Sequence, residues 1–503
     1  MKKYSFVYLI LSFAIIFCAT NCNQSNDTKE QVEKITVMLP SVSIGDPHIV
    51  IDNADKLSII FSIYDALVKQ DIEGKYQPSL AESWIVEEDK LTWTFNLRKG
   101  VKFHNGDVLC AEDVVTTLNR VLNPSLGGAF GTGGVYISYL GSADIKAVDD
   151  LEVRIVTKEP MADLLDLLSV MPISPASEID NLPEKYCGSG PYFISEITNT
   201  KIVLKAFEEY WGKAAKSREL HWIASTDEEK RVEALLEGRV DVIPGISLKS
   251  RDRIIKDGRA EVKELENSLC IIFMFNSQKG PCTDRRVRQA LNYAIDKEEI
   301  IKTIKNGAAK ALNGYQTRVH FGYNKETPIY PYDPEKARSL LAEAGYKDGL
   351  NLVFDIPAVM PNEAPELAQM MVNYYKEVGI NVELVVHKDR AAYADMVRAK
   401  KINDACCFDS SPSSTYRVLR EKINSKYRGP WWQGYENKEV NSLMEKAEST
   451  FLDSDRKNIY KELYTLIRDD APWIFLYNPT KYSGIGSTIK CPDRSKNGIM
   501  LFN

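Results

Sequence analysis

This sequence is short of histidine, of metal-type cysteine spacing and of any catalytic signature. Its five histidines (48, 104, 221, 320 and 387) are scattered, with no H-E-x-x-H and no other close pair to hold a metal. Nine cysteines stand at 18, 22, 110, 187, 270, 282, 406, 407 and 491, none in a C-x-x-C pair, so a cysteine zinc site has no support. There is no G-x-S-x-G, no Walker loop and no dinucleotide fingerprint after a strand, so neither an enzyme nor a cofactor is indicated. An excess of basic residues is also missing. Lys and Arg number 64 against 70 Asp and Glu, a net charge of −6. Without Lys2 and Lys3 the balance is 62 against 70, or −8. No local basic stripe compensates, which excludes nucleic acid as a partner.

Long hydrophobic runs are confined to the start. Met1-Lys2-Lys3 and the apolar stretch Phe6 to Ala19 read as a secretory n-region and h-region. That run is too short to span a bilayer comfortably, and no other long one follows. The alternative is an N-terminal anchor helix that is never cleaved. Ala19-Thr20-Asn21-Cys22 resembles a loose lipobox, with Asn21 departing from the usual small residue. Residues 1–21 are therefore expected as signal peptide, Cys22 as the lipidated residue and 22–33 as a polar tether. Seven cysteines remain beyond Cys22, and an odd number in an oxidising compartment leaves at least one free thiol.

What is present is a chain of 503 residues, 44% hydrophobic and 27% charged, enough for two or three domains. Its most ordered pattern lies at 79–118. Leu91, Trp93, Phe95 and Leu97 alternate with Thr92, Thr94 and Asn96, which predicts a strand with one buried face. Ser83 to Val86 supplies its partner and Glu87 to Lys90 the turn. His104-Asn105-Gly106-Asp107 carries an Asn-Gly turn. A helix opens at Ala111 with Cys110 as a poor N-cap. In order and content, "LAESW…LTWTFNLRKGVKFHNGD…AEDVV" resembles the bacterial extracellular solute-binding proteins of the peptide- and nickel-binding family. There Cys110 replaces the usual Thr or Ser.

Further segments carry the same resemblance: "YDALV" ending an expected helix over Asp55 to Lys69, and "GSGPY" (188–192) with "YWG" (210–212). "LLEGRVDVI" (235–243), "PCTDRRVRQALNYAIDKEEII" (281–301) and the helix from Asp333, closed by Gly345, complete it. The glycines of GSGPY are expected to serve a tight turn, since no P-loop lysine follows. Asn123 to Tyr139, with five glycines, predicts a long mobile loop in which Phe130 and Tyr136 could meet a ligand. Pro160 to Val170 reads as an amphipathic helix. Alternating helices and strands from Glu363 to Val386 indicate an α/β lobe.

The resemblance implies a two-lobed α/β periplasmic-binding-protein fold, of the cluster C type, with an extra subdomain on the first lobe. Lobe I would comprise 34–60, 181–268 and 474–503, the extra subdomain 61–180, and lobe II 269–473. The chain would cross between lobes near 268–272 and 472–480, and ligand would be enclosed by hinge closure. The expected function is capture of a small solute, a peptide first, and its delivery to an inner-membrane ABC permease. The protein would act as a monomer in the periplasm or cell envelope, held to the membrane by a lipid anchor only. Nickel, a metallophore, an opine or an oligosaccharide is the alternative ligand, and a signalling or host-interaction lipoprotein the alternative role.

By its place, Asp409 resembles the aspartate with which peptide receptors neutralise a ligand ammonium; an Asx turn is the plainer reading of that residue. Phe408, Cys407, Trp431, Trp432, Tyr136 and Ser43 are the further candidate ligand contacts. A Cys270–Cys407 disulfide is expected where resembling receptors bring two second-lobe strands together, against the alternative of two free buried thiols.

Overall fold

The computed structural model describes residues 32–126 and 133–503. The expected signal peptide, Cys22, most of the tether and Phe130 lie outside the described residues. Val32 and Glu33, expected in the tether, belong to the first strand, Val32–Leu39.

Three sheets organise the chain. The first has seven strands in the order 260–265, 481–486, 242–246, 32–39, 217–224, 201–206 and 192–197. The strand Val32–Leu39 pairs in parallel with both its neighbours, and the remaining pairs are antiparallel. The second has six strands in the order 309–311, 473–479, 270–275, 405–410, 350–357 and 380–387. The third is the expected hairpin, Ala81–Val86 with Thr92–Leu97, extended by 152–156 and 144–149. Trp93, Phe95 and Leu97 are buried, and Val153 and Ile155 join them in one core with the helix Ala111–Val121.

Every residue of the strand Cys270–Phe275 is buried, because the six-stranded sheet is covered on both faces. Ile271, Phe273 and Phe275 enter one core with Cys407; Cys270, Ile272 and Met274 enter another with Cys406 and Phe408. Register settles the disulfide. Cys270 lies opposite Ser410 and Cys407 opposite Phe273. A period of two puts the two thiols on opposite faces of the sheet, and both are free. The expected bridge does not form.

Other expectations are corrected in the same way. The first helix ends at Ile63, and Val68–Gln70 is a strand. Part of the glycine-rich stretch is helical, Gly133–Leu140, and buries Tyr136. The helix at 160–170 shrinks to Leu164–Leu168. The strand Trp473–Pro479 stays in the six-stranded sheet, and the chain passes to the seven-stranded one only at Lys481, beyond the expected boundary at 473. Cys110 does stand at the N-cap; Asp113 supports it, accepting from the Cys110 N–H at 2.8 Å and the Ala176 N–H at 2.8 Å.

The GSGPY glycines serve close approach, where a tight turn was expected. A Cβ on Gly188 would stand 2.1 Å from the Ile63 carbonyl oxygen, and the Gly190 N–H donates to that same oxygen at 2.9 Å. This contact delivers Ser189 to Asp65. The Asp65 carboxylate accepts from Trp211 Nε1 at 2.9 Å, Ser189 Oγ at 3.1 Å and Tyr210 Oη at 3.1 Å. Three separated segments, YDALV, GSGPY and YWG, thus meet on one carboxyl.

Burial pushes the Asp65 carboxyl up to about 6 although three donors favour its charged form. A carboxyl raised in the folded state binds protons there before the unfolded chain does. Its contribution to stability therefore grows as pH falls from about 7 toward 4. Asp65→Asn should abolish that increment, about 2 kcal/mol. Urea unfolding of both proteins at the two pH values reads it; identical pH dependence would refute the assignment.

Candidate functional site

The segment after the first strand, residues 40–53, reaches from the seven-stranded sheet to face the second half of the chain. Asp46 caps the turn Pro47–Ile49 by accepting from the His48 N–H at 2.9 Å. Arg120 grips the same carboxylate from the side, at 2.6 and 3.0 Å. Burial opposes the charge on Asp46, but the Arg120 guanidinium holds its carboxyl below the usual range. His48 Nε2 lies 3.1 Å from the Pro172 carbonyl and Nδ1 2.9 Å from Arg120. The ring thus donates from Nε2, accepts at Nδ1 and stays neutral; burial, then Arg120, pushes it down to about 4. The segment is clamped by side chains of the chain itself.

Opposite it stands the helix Thr415–Lys422. Arg417, buried, donates to Asp52 at 2.7 and 3.1 Å and to Glu421 at 3.0 Å. Arg417 and Glu421 are one helical turn apart, so a single face carries both. Tyr139 Oη reaches the same Glu421 oxygen at 3.4 Å. Asp52 comes from the first half, so the guanidinium ties the two halves together.

Between these walls lies a cavity of about 440 Å³. Of the residues expected in the site, Phe408, Asp409 and Trp431 line it. Phe408 and Trp431 pack at a ring separation of 4.9 Å, and the Arg390 guanidinium sits 5.1 Å above Phe408. Arg390 reaches Asp409 at 3.6 Å. Burial pushes the Asp409 carboxyl up, against Lys422 and Arg390, which favour its charge. The expected counter-charge for a ligand ammonium therefore already has cationic neighbours of its own.

The remaining expected contacts lie elsewhere. Cys407 faces the opposite core and is fully buried. Trp432 donates its ring N–H to the Tyr435 carbonyl at 2.7 Å. Tyr136 packs in the core of the third sheet, while its neighbour Val135 reaches the cavity. Ser43 is exposed, and Ile44, Gly45 and Asp46 line the cavity in its place. The missed residues are Asp52, Arg390, Arg417, Glu421 and Lys422. The one local signal among them is the i, i+4 spacing of Arg417 and Glu421, which the sequence reading did not single out.

The match to known proteins is extensive. Residues 75–405 fit the model of the bacterial extracellular solute-binding proteins, family 5. The chain belongs to that family. It is 26% identical to the heme-binding protein A of Haemophilus influenzae over 493 residues, covering 91% of this chain and 89% of that one. It is 28% identical to the dipeptide-binding protein of Escherichia coli over 463 residues, covering 85% and 86%. The solved structure of HbpA2 from Haemophilus parasuis superposes with a TM-score of 0.83 at 22% identity, covering 93% and 99%. The fold is thus the two-lobed α/β binding-protein fold, and the relatives are binding proteins. No helix among the described residues is long and apolar enough to cross a membrane.

Removing the Arg417 side chain should be costly. Arg417→Met leaves Asp52 and buried Glu421 without their counter-charge, which typically destabilises by about 3–5 kcal/mol. Denaturant unfolding measures it, and a loss below 1 kcal/mol would refute the role given to the guanidinium.

Proposed function

We propose that this chain captures a small solute, a peptide before other classes, in the cavity between its halves and presents it to an ABC permease. The observation that carries this reading is the cavity itself. It is lined from both halves by fixed charges and by the Phe408–Trp431 pair, in a chain that aligns along most of its length with a dipeptide-binding relative. Such a site needs only desolvation, hydrogen bonds and charge complementarity to hold a ligand. Native mass spectrometry of the protein purified from its own host tests the reading. A co-purified peptide is expected; nickel, a metallophore, an opine or a saccharide in its place would overturn the peptide assignment.

The same reading makes the protein a lipid-anchored monomer of the periplasm or cell envelope, acylated at Cys22. The short apolar leader and the polar residues after it support this. In cells fed a palmitate analogue, the wild type should label and Cys22→Ser should not. Equal labelling of both would remove the anchor.

A further inference from the structure

The charges around the cavity are unevenly satisfied. Every carboxylate lining it is engaged by an arginine: Asp46 by Arg120, Asp52 and Glu421 by Arg417, and Asp409 by Arg390. The two lysines in the lining are not so engaged. Lys56, on the helix Ala54–Ile63, and Lys422, at the end of the helix Thr415–Lys422, belong to opposite halves. Neither ammonium has an ion pair or hydrogen bond among the described residues.

Lys422 is the more telling of the two. It is only 4% exposed, and a lysine is almost never enclosed so far without a partner. Burial pushes its ammonium down, and Glu421 and Asp409 push it back up from a distance. Glu421 is hydrogen-bonded to Arg417 and Asp409 is ion-paired with Arg390 at 3.6 Å, and neither closes on Lys422. A buried ammonium on a cavity wall with its donors unspent is a site for an acceptor that comes from outside. Anions are the strong acceptors for an ammonium, through charge-assisted hydrogen bonds, and in the peptide proposed above that anion is a carboxylate.

We propose that Lys422 anchors an anionic group, a carboxylate, of the ligand held in this cavity, with Lys56 drawing on the same negative charge from the facing half. The ligand's acidic end, and not an amine at Asp409, is then the group the site recognises. Asp409 acts as a positioning residue that holds Arg390 and keeps Lys422 charged. This assignment rests on the solute-capture reading above and names the chemistry of its ligand.

The test is calorimetry on the full chain with a dipeptide, alanyl-leucine, as the free acid and as the C-terminal amide, against wild type and Lys422→Met. For the wild type, the acid should bind at least tenfold more tightly than the amide. In Lys422→Met that preference should fall below threefold. Acid and amide bound alike by the wild type, or the full preference kept in the variant, overturns the anchor and leaves peptide capture standing. The wild-type comparison decides the matter alone if the variant does not fold. If neither form binds, the alanyl-leucine probe has failed rather than the anchor. The anchor is then read from the compound carried out of the host: an acidic compound on wild type supports it, and a neutral or cationic one, or none, overturns it.

Discussion

The guanidinium of Arg417 holds two carboxylates that would otherwise repel each other, Asp52 from the first half and Glu421 from its own helix. Everything about the cavity depends on this. An isolated buried carboxylate is costly, and so is an isolated buried guanidinium. Together, with a planar fork of five donors between them, they satisfy one another. Because Asp52 sits on the segment from 40 to 53, the same interaction fixes how far that segment stands from the helix Thr415–Lys422. The width of the cavity is therefore an electrostatic quantity as much as a packing one.

The rest of the charge network follows from the same economy of burial. Arg120 immobilises Asp46, and Asp46 in turn caps the turn that carries His48. His48 stays neutral because it is buried and because a proton on Nδ1 would face Arg120. The segment facing the cavity is thus held at both ends by arginines that come from far along the chain. Arginine suits this work because its charge survives burial, whereas a lysine ammonium is readily depressed there. That contrast gives the unengaged lysines their meaning. In a wall where structural pairing is done by arginine, lysine is left over for something else.

Local pattern was legible in the sequence, and contact at a distance was not. The hairpin at 81–97 announced itself because alternation at period two requires only neighbours. The GSGPY, YDALV and YWG segments could be recognised one by one, but their convergence on the Asp65 carboxyl joins residues up to 146 positions apart. The Asp52–Arg417 pair spans 365 positions, and no periodicity carries information over that span. The glycine-rich stretch misled because glycine lowers helix propensity without forbidding a helix whose other residues bury an apolar face. Tyr136, Tyr139 and Leu140 do so. The disulfide failed on parity. Two cysteines on paired strands can meet only in matching register, and three positions separate these two from it.

Family resemblance reached further into the fold than into the site, for a physical reason. The recognised motifs lie where backbone meets backbone, as at Gly188, or where a carboxyl is enclosed by fixed donors, as at Asp65. Such places tolerate little change, because a Cβ or a lost acceptor is felt at once. A cavity wall obeys a weaker constraint. It must remain electrically satisfied, but several arrangements of arginines, lysines and carboxylates meet that condition, each selecting a different ligand. Asp409 illustrates the point. Its place in the chain marks it as a candidate, and it does line the cavity, yet its charge environment is set by Lys422 and Arg390, which stand on other elements and were silent in the local sequence. Which charges the wall leaves unengaged is therefore a property of the assembled network, and no local stretch of sequence carries it.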